Sequence, residues 1–200
     1  MSARAESREL LAAVQFAAEK HRLQRRKDAD ASPYVNHPIE VAGTLARVGV
    51  TDREVLLAAI LHDTIEDTAT TRLELASRFG LRVASLVAEV SDDKTLPKAE
   101  RKRLQVLHAG TLSHGAKLIK LGDRICNVRD VADSPPEDWS RKRRLEYLDW
   151  SRAVVARCRG ASADLAHLFD QVAARAEDLV RHTQACGDKP SRRRRSSTPM

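Results

Sequence analysis

The stretch AAILHDTIEDT places one imidazole, His62, and three carboxylates, Asp63, Glu66 and Asp67, within six residues. They directly follow the apolar run Val55-Leu56-Leu57-Ala58-Ala59-Ile60-Leu61. Such a run belongs in a core, where ionised groups are costly unless they are paired or bind a metal. The fold must therefore bring a cation to a dense anionic cluster at the inner end of a buried helix.

The surrounding pattern specifies helices. Apolar residues recur near a 3.6 period, as in Leu10, Leu11, Val14, Phe16 and Ala17, and Val/Ile-rich alternation is missing. Helices are predicted over 8–23, from Pro38 to about Val48 with Gly49 as the stop, and from a capping box at Thr51–Glu54 to the acidic cluster. A second capping box, Thr71–Glu74, opens a short helix closed by Gly80. Further helices are predicted over 82–91, 98–109, 116–130, 139–159 and 162–182, the last two separated by Gly160. The expected architecture is an all-α bundle of about eight or nine helices. One domain is expected over residues 1–183, with a basic, disordered tail over 184–200.

Composition limits the alternatives. Of the formal charge of +7, residues from Gly187 onward carry +4 (Lys189 and Arg192 to Arg195 against Asp188), leaving +3 for the other 186 residues. The body is therefore only mildly basic, and nucleic-acid contact is expected, if anywhere, at the arginine tail. Cys126, Cys158 and Cys186 are an odd number without CxxC spacing, against both a disulfide framework and a thiolate zinc site. No signal peptide opens the chain and no apolar run approaches the roughly 18 residues that span a membrane. A soluble, cytoplasmic protein without membrane contact is expected, and nothing in the pattern specifies an oligomeric state.

His62 and Asp63 point about 100° apart on a helix, so one ion can serve both only if it lies close, with ligands from other helices. His37, just before Pro38, and Asp123, inside the otherwise apolar KLIKLGDRICNV, are the candidates. His37, His62, Asp63 and Asp123 form a two-imidazole, two-carboxylate shell suited to Mn²⁺, Fe²⁺, Mg²⁺ or a catalytic Zn²⁺. The competing reading is that His62 and Asp63 cap a helix and His37 is a turn residue. Glu66 and Asp67 fall four residues after His62 and Asp63, on nearly the same face, where they could deprotonate a metal-activated water. Alternatively they are solvated residues of a fraying helix end.

Four strings, RRKDADASPYVNHPIEVA, LLAAILHDTIEDT, VSDDKTLPKAERKR and AKLIKLGDRICNVRD, together resemble the hydrolase half of RelA/SpoT enzymes, among the HD-domain phosphohydrolases. The likeness is closest to the small, hydrolase-only metazoan SpoT homologue type and covers roughly residues 8–180. It implies a Mn²⁺-dependent removal of the 3′-pyrophosphate from guanosine tetra- or pentaphosphate. Its metal ligands fall on His37, His62, Asp63 and Asp123, and its catalytic pair on Glu66 and Asp67. Arg26 and Lys27 match its basic pair and Asn127 its asparagine, in roles toward the phosphates and toward ribose or base. Each has a plain alternative, a solvated basic loop and an exposed helix residue. Tyr34 could stack on or bond the nucleotide, or pack under its loop. Another nucleotide, such as NADPH, is the alternative substrate. Cys126 and Gly122 depart from the residues usual in such enzymes. Removal of Asp63 or Asp123 is expected to abolish turnover in a largely folded protein.

Overall fold

The computed structural model describes residues 3–182, so the expected tail over 184–200 and Cys186 lie outside the described residues. The helices are α1 (Ala3–Lys20), α2 (Asn36–Arg47), α3 (Arg53–Leu61), α4 (Thr64–Asp67), α5 (Arg72–Phe79), α6 (Leu81–Val90), α7 (Lys98–His108), α8 (His114–Asp133), α9 (Arg141–Cys158) and α10 (Ala163–His182). A 3₁₀ turn, Arg159–Ala161, joins the last two and contains Gly160. Among the described residues the only β-type pairing is an isolated bridge between Arg25 and Pro33. The all-α expectation holds, with nine helices of eight residues or more plus the single turn α4 among the described residues.

The fold is built around α8. Thirteen of its twenty residues are buried, as expected of a helix enclosed on nearly all sides. It packs against α2, α3, α6, α9 and α10. Gly122 lets α2 approach: a Cβ there would stand 3.0 Å from Leu45 Cδ2 and 3.3 Å from Val41 Cγ1. Gly115 does the same toward α6, where a Cβ would fall 2.9 Å from Leu86 Cδ2. The core is aliphatic, with Leu45, Leu57, Leu61, Ile119, Leu121 and Leu165 fully enclosed. No helix among the described residues is long and apolar enough to cross a membrane.

Local chemistry accounts for most helix ends. Thr71 caps α5 by accepting from the Glu74 amide at 3.1 Å, as predicted. Gly49 adopts φ +91°, a left-handed conformation that ends α2 at little steric cost. The start of α3 differs from expectation. Its cap is Asp52, whose Oδ1 accepts from the Glu54 and Val55 amides at 3.0 and 3.3 Å, so the helix begins at Arg53. Asp52 prevails over Thr51 because Arg82 of α6 also grips its carboxylate, at 2.5 Å and 3.0 Å.

The helix leading to the acidic cluster also breaks one turn earlier than predicted. It stops at Leu61, and Thr64 Oγ1 donates to the Leu61 carbonyl at 2.7 Å, offering the backbone an alternative partner. The chain restarts as the single turn α4 from Asp63, whose carbonyl accepts from the Asp67 amide at 2.8 Å. This restart determines where the two carboxylate pairs point.

Asp52→Ala is expected to cost about 1 kcal/mol, the usual value of such a cap. The Arg82 hydrogen bond holds the Asp52 carboxyl below its ordinary range, so its contribution is complete above that range and lost as pH falls through the depressed value. Denaturant unfolding of both proteins should show a stability gap at neutral pH that closes in acid; a gap constant with pH would contradict this.

Candidate active site

Three elements deliver ligating atoms to one point. His37 lies in the first turn of α2, His62 follows α3, and Asp123 sits in the middle of α8, each only 5% exposed. One atom from each lies within 4.8 Å of the other two. His37 Nε2 is 3.2 Å from Asp123 Oδ1, and His62 Nε2 is 4.0 Å from the same oxygen. Asp63 flanks this trio, its Oδ2 standing 3.0 Å from His62 Nε2 and 4.0 Å from His37 Nε2.

His37 Nε2 and Asp123 Oδ1 are within hydrogen-bond distance, but His62 Nε2 is left unsatisfied. His62 Nδ1 lies 2.8 Å from the Ala59 carbonyl and must donate to it, so in the neutral ring Nε2 carries the lone pair. That Nε2 is buried and makes no hydrogen bond despite the carboxylate oxygen 3.0 Å away. A buried nitrogen lone pair among carboxylate oxygens is repulsive unless a cation lies between them. Two imidazoles with carboxylate oxygens, and no thiolate, are a donor set that fits a divalent metal.

The local electrostatics agree. Burial alone would raise the Asp123 carboxyl, but Arg124 and the two imidazoles hold it well below the usual carboxylate range. Burial likewise opposes charging His62, yet Asp63 and Asp123 lift the imidazole to about 9. The cluster thus recruits positive charge wherever it is available. Arg124, buried beside Asp123, binds its Oδ2 through Nε at 3.1 Å and through Nη2. Asn127 donates to Oδ1 of the same carboxylate. Removal of Asp123 would leave Arg124 buried and unpaired, a loss of about 3–5 kcal/mol. Asp123→Ala is therefore expected to be less stable than Asp63→Ala, Asp63 being only partly buried.

Glu66 and Asp67 project from α4 into basic surroundings. Glu66 Oε2 accepts from the Asp92 amide at 3.0 Å, and Oε1 lies 3.5 Å from Arg101 and 3.7 Å from Lys94. Lys94 also pairs with Asp67. Burial pushes the Glu66 carboxyl up, aided by Asp92 and Asp63. Neither residue is a solvated helix end.

Beside the trio lies a cavity of about 510 Å³, within the range that holds a nucleotide-sized ligand. Arg26, Lys27, Tyr34, His37 and Asn127 all line it. Two expected roles change in detail. The Tyr34 hydroxyl donates to Asp63 Oδ2 at 2.6 Å, so it orients a carboxylate of the cluster while its ring faces the cavity. Arg26 is tied to Asp130, one of the cavity's acids, and its guanidinium lies 5.9 Å from the Tyr34 ring.

Sequence reasoning missed several lining groups. Trp139 and Tyr147, ring centroids 5.2 Å apart, supply an aromatic wall, and the buried Trp139 indole N–H has no partner. Burial and the charges of Arg143, Lys27 and Arg101 hold the Lys98 ammonium below its ordinary range, which places these cations in one positive field. They come from a loop, α7 and α9, so no local spacing signals their meeting. Cys126, noted as a departure, is a buried wall residue whose thiol burial pushes up to about 12.

An HD-domain family model matches residues 13–149, and the chain belongs to the HD-domain family. It is similar to the guanosine-3′,5′-bis(diphosphate) 3′-pyrophosphohydrolase MESH1 of Danio rerio, 53% identical over 164 residues, covering 82% of this chain and 91% of that one. It is equally similar to the Homo sapiens protein of the same name, 53% identical over 171 residues, covering 83% and 96%. A solved structure described as a metazoan ortholog of SpoT that hydrolyzes ppGpp superimposes with a TM-score of 0.80 at 44% identity, covering 86% and 94%.

His62→Ala should weaken divalent-metal binding, titrated by calorimetry with Mn²⁺ as the probe, by at least the roughly 10- to 100-fold that loss of a supporting partner costs. Far-UV circular dichroism should be unchanged. Undiminished binding would remove His62 from the ligand set.

Proposed function

We propose that the chain is a Mn²⁺-dependent guanosine-3′,5′-bis(diphosphate) 3′-pyrophosphohydrolase of the cytoplasm, converting the tetra- or pentaphosphate to GDP or GTP and pyrophosphate. The observation that carries this reading is the unpartnered His62 Nε2, converging with His37 and Asp123 beside a nucleotide-sized cavity. It is supported by relatives of that name, which the chain matches over more than nine-tenths of their length.

His37, His62, Asp63 and Asp123 would hold the ion, which when bound supplies Lewis acidity toward a phosphate oxygen and acidifies water. Glu66 and Asp67 orient the attacking water and take its proton. The water oxygen bonds to phosphorus, the bond from phosphorus to the 3′ oxygen breaks, and that oxygen leaves as a hydroxyl after protonation. Arg101 and Lys94 keep the two carboxylates aimed. Lys27, Lys98 and Arg143 meet the charge of the phosphates, and Arg26 sits among them with Asp130 as its resting partner. The Trp139 indole N–H and the Asn127 amide are the donors nearest to hand for the nucleoside. Stacking against Trp139 and Tyr147 would hold the base.

The purified protein with Mn²⁺ should release pyrophosphate from guanosine tetraphosphate with a higher kcat/KM than phosphate from NADPH; the reverse order would overturn the assignment. Glu66→Gln and Asp67→Asn should each lower kcat by about 10²- to 10⁴-fold, the range of general acid–base contributions, with Mn²⁺ binding retained.

A further inference from the structure

The carboxylates Glu66 and Asp67 stand on α4, a four-residue turn that cannot sustain itself as a helix. Its terminal carbonyls have no helical continuation and need outside donors. Asp67 finds one 43 residues away: Gln24 Nε2 donates to its carbonyl at 2.7 Å.

Gln24 is itself fixed. Its Oε1 accepts from Nδ1 of His21 at 2.7 Å, which assigns the proton of that imidazole to Nδ1. His21 is 2% exposed, and its Nε2 has no partner. The two ends of the Gln24 amide thus confirm each other, oxygen toward the imidazole N–H and nitrogen toward the carbonyl. The main chain is held as well. The Gln24 amide donates to the His21 carbonyl at 2.9 Å, and the Gln24 carbonyl accepts from the Tyr34 amide at 3.2 Å. Tyr34 stacks 5.0 Å from the His21 ring and donates its hydroxyl to Asp63. One turn at the end of α1 therefore attaches to the metal side of the cluster through Tyr34 and to the water-activating side through Gln24.

We propose that Gln24, oriented by His21, is a positioning residue that sets the distance between Asp67 and the Asp63 side of the site. The inference rests on the catalytic reading of Glu66 and Asp67 given above. The Gln24 side chain bonds only His21 and the Asp67 carbonyl and does not itself line the cavity, so its effect is transmitted through the backbone of α4. Misplacement of a catalytic group by about 1 Å can cost on the order of a hundredfold in rate.

Gln24→Met keeps the side-chain length and removes both amide bonds. It should lower kcat roughly tenfold to a hundredfold, with KM for guanosine tetraphosphate and Mn²⁺ affinity unchanged. Amide hydrogen exchange at Asp67 and Thr68 should accelerate. His21→Leu should act in the same direction, whereas His21→Asn, whose amide N–H can stand in for Nδ1, should restore most of the rate. Full kcat in Gln24→Met, or loss of rate matched by loss of metal affinity and not restored by His21→Asn, would overturn the inference. If the unmodified protein does not turn over guanosine tetraphosphate, the catalytic reading fails, yet hydrogen exchange still decides the tether. Acceleration at Asp67 and Thr68 supports it and unchanged exchange refutes it.

Discussion

Electrostatic satisfaction of Asp123 organises this molecule. A carboxylate in the middle of the central, largely buried helix is tenable only because Arg124, His37, His62 and Asn127 converge on it. Each partner reaches it through a different constraint. Arg124 is its neighbour on α8, Asn127 lies one turn on, His37 needs α2 pressed against Gly122, and His62 needs α3 to end where it does. Displacing any of these helices would leave a buried charge unpaired, so the core and the site stabilise the same arrangement.

The surplus of acceptors over donors at that point is the chemical resource of the fold. Protons on the imidazoles can compensate it, or a divalent ion can, and His62, with Nδ1 committed to a carbonyl, presents a lone pair suited to the ion. Around it the polar groups divide into two fields. Lys94 and Arg101 restrain the carboxylates of α4 on one side. Arg25, Arg26 and Lys27 line the cavity with positive charge on the other. A polyphosphate with a reacting end and a nucleoside end suits that division.

Much of this was legible in the sequence. Helix boundaries after the first helix followed closely from periodicity and capping, because these are local; α1 spans Ala3–Lys20 against the expected 8–23. Asp123 stood out because an apolar helix rarely carries a carboxylate without reason, and His37 because its Pro38 marked a helix start. Where reading failed, two local signals competed. At Thr51-Asp52 both residues can cap, and Arg82, thirty residues on, decides for Asp52. At Leu61–Thr64 no Gly or Pro marks a helix stop, and only the Thr64 hydroxyl reveals the break.

The sequence by itself determined the elements and the chemical inventory: an all-helical chain, an acidic cluster at the end of a buried run, and the imidazoles and carboxylates that could hold a cation. These depend on residue type and spacing within a few turns. Tertiary structure alone decided which groups share the site. It tied Tyr34 to Asp63, brought Trp139 and Tyr147 of the chain's last third to the cavity of its first, and anchored Asp67 through Gln24. Such pairings span tens of residues, and packing of α2 and α9 on α8 sets them, which no local pattern encodes.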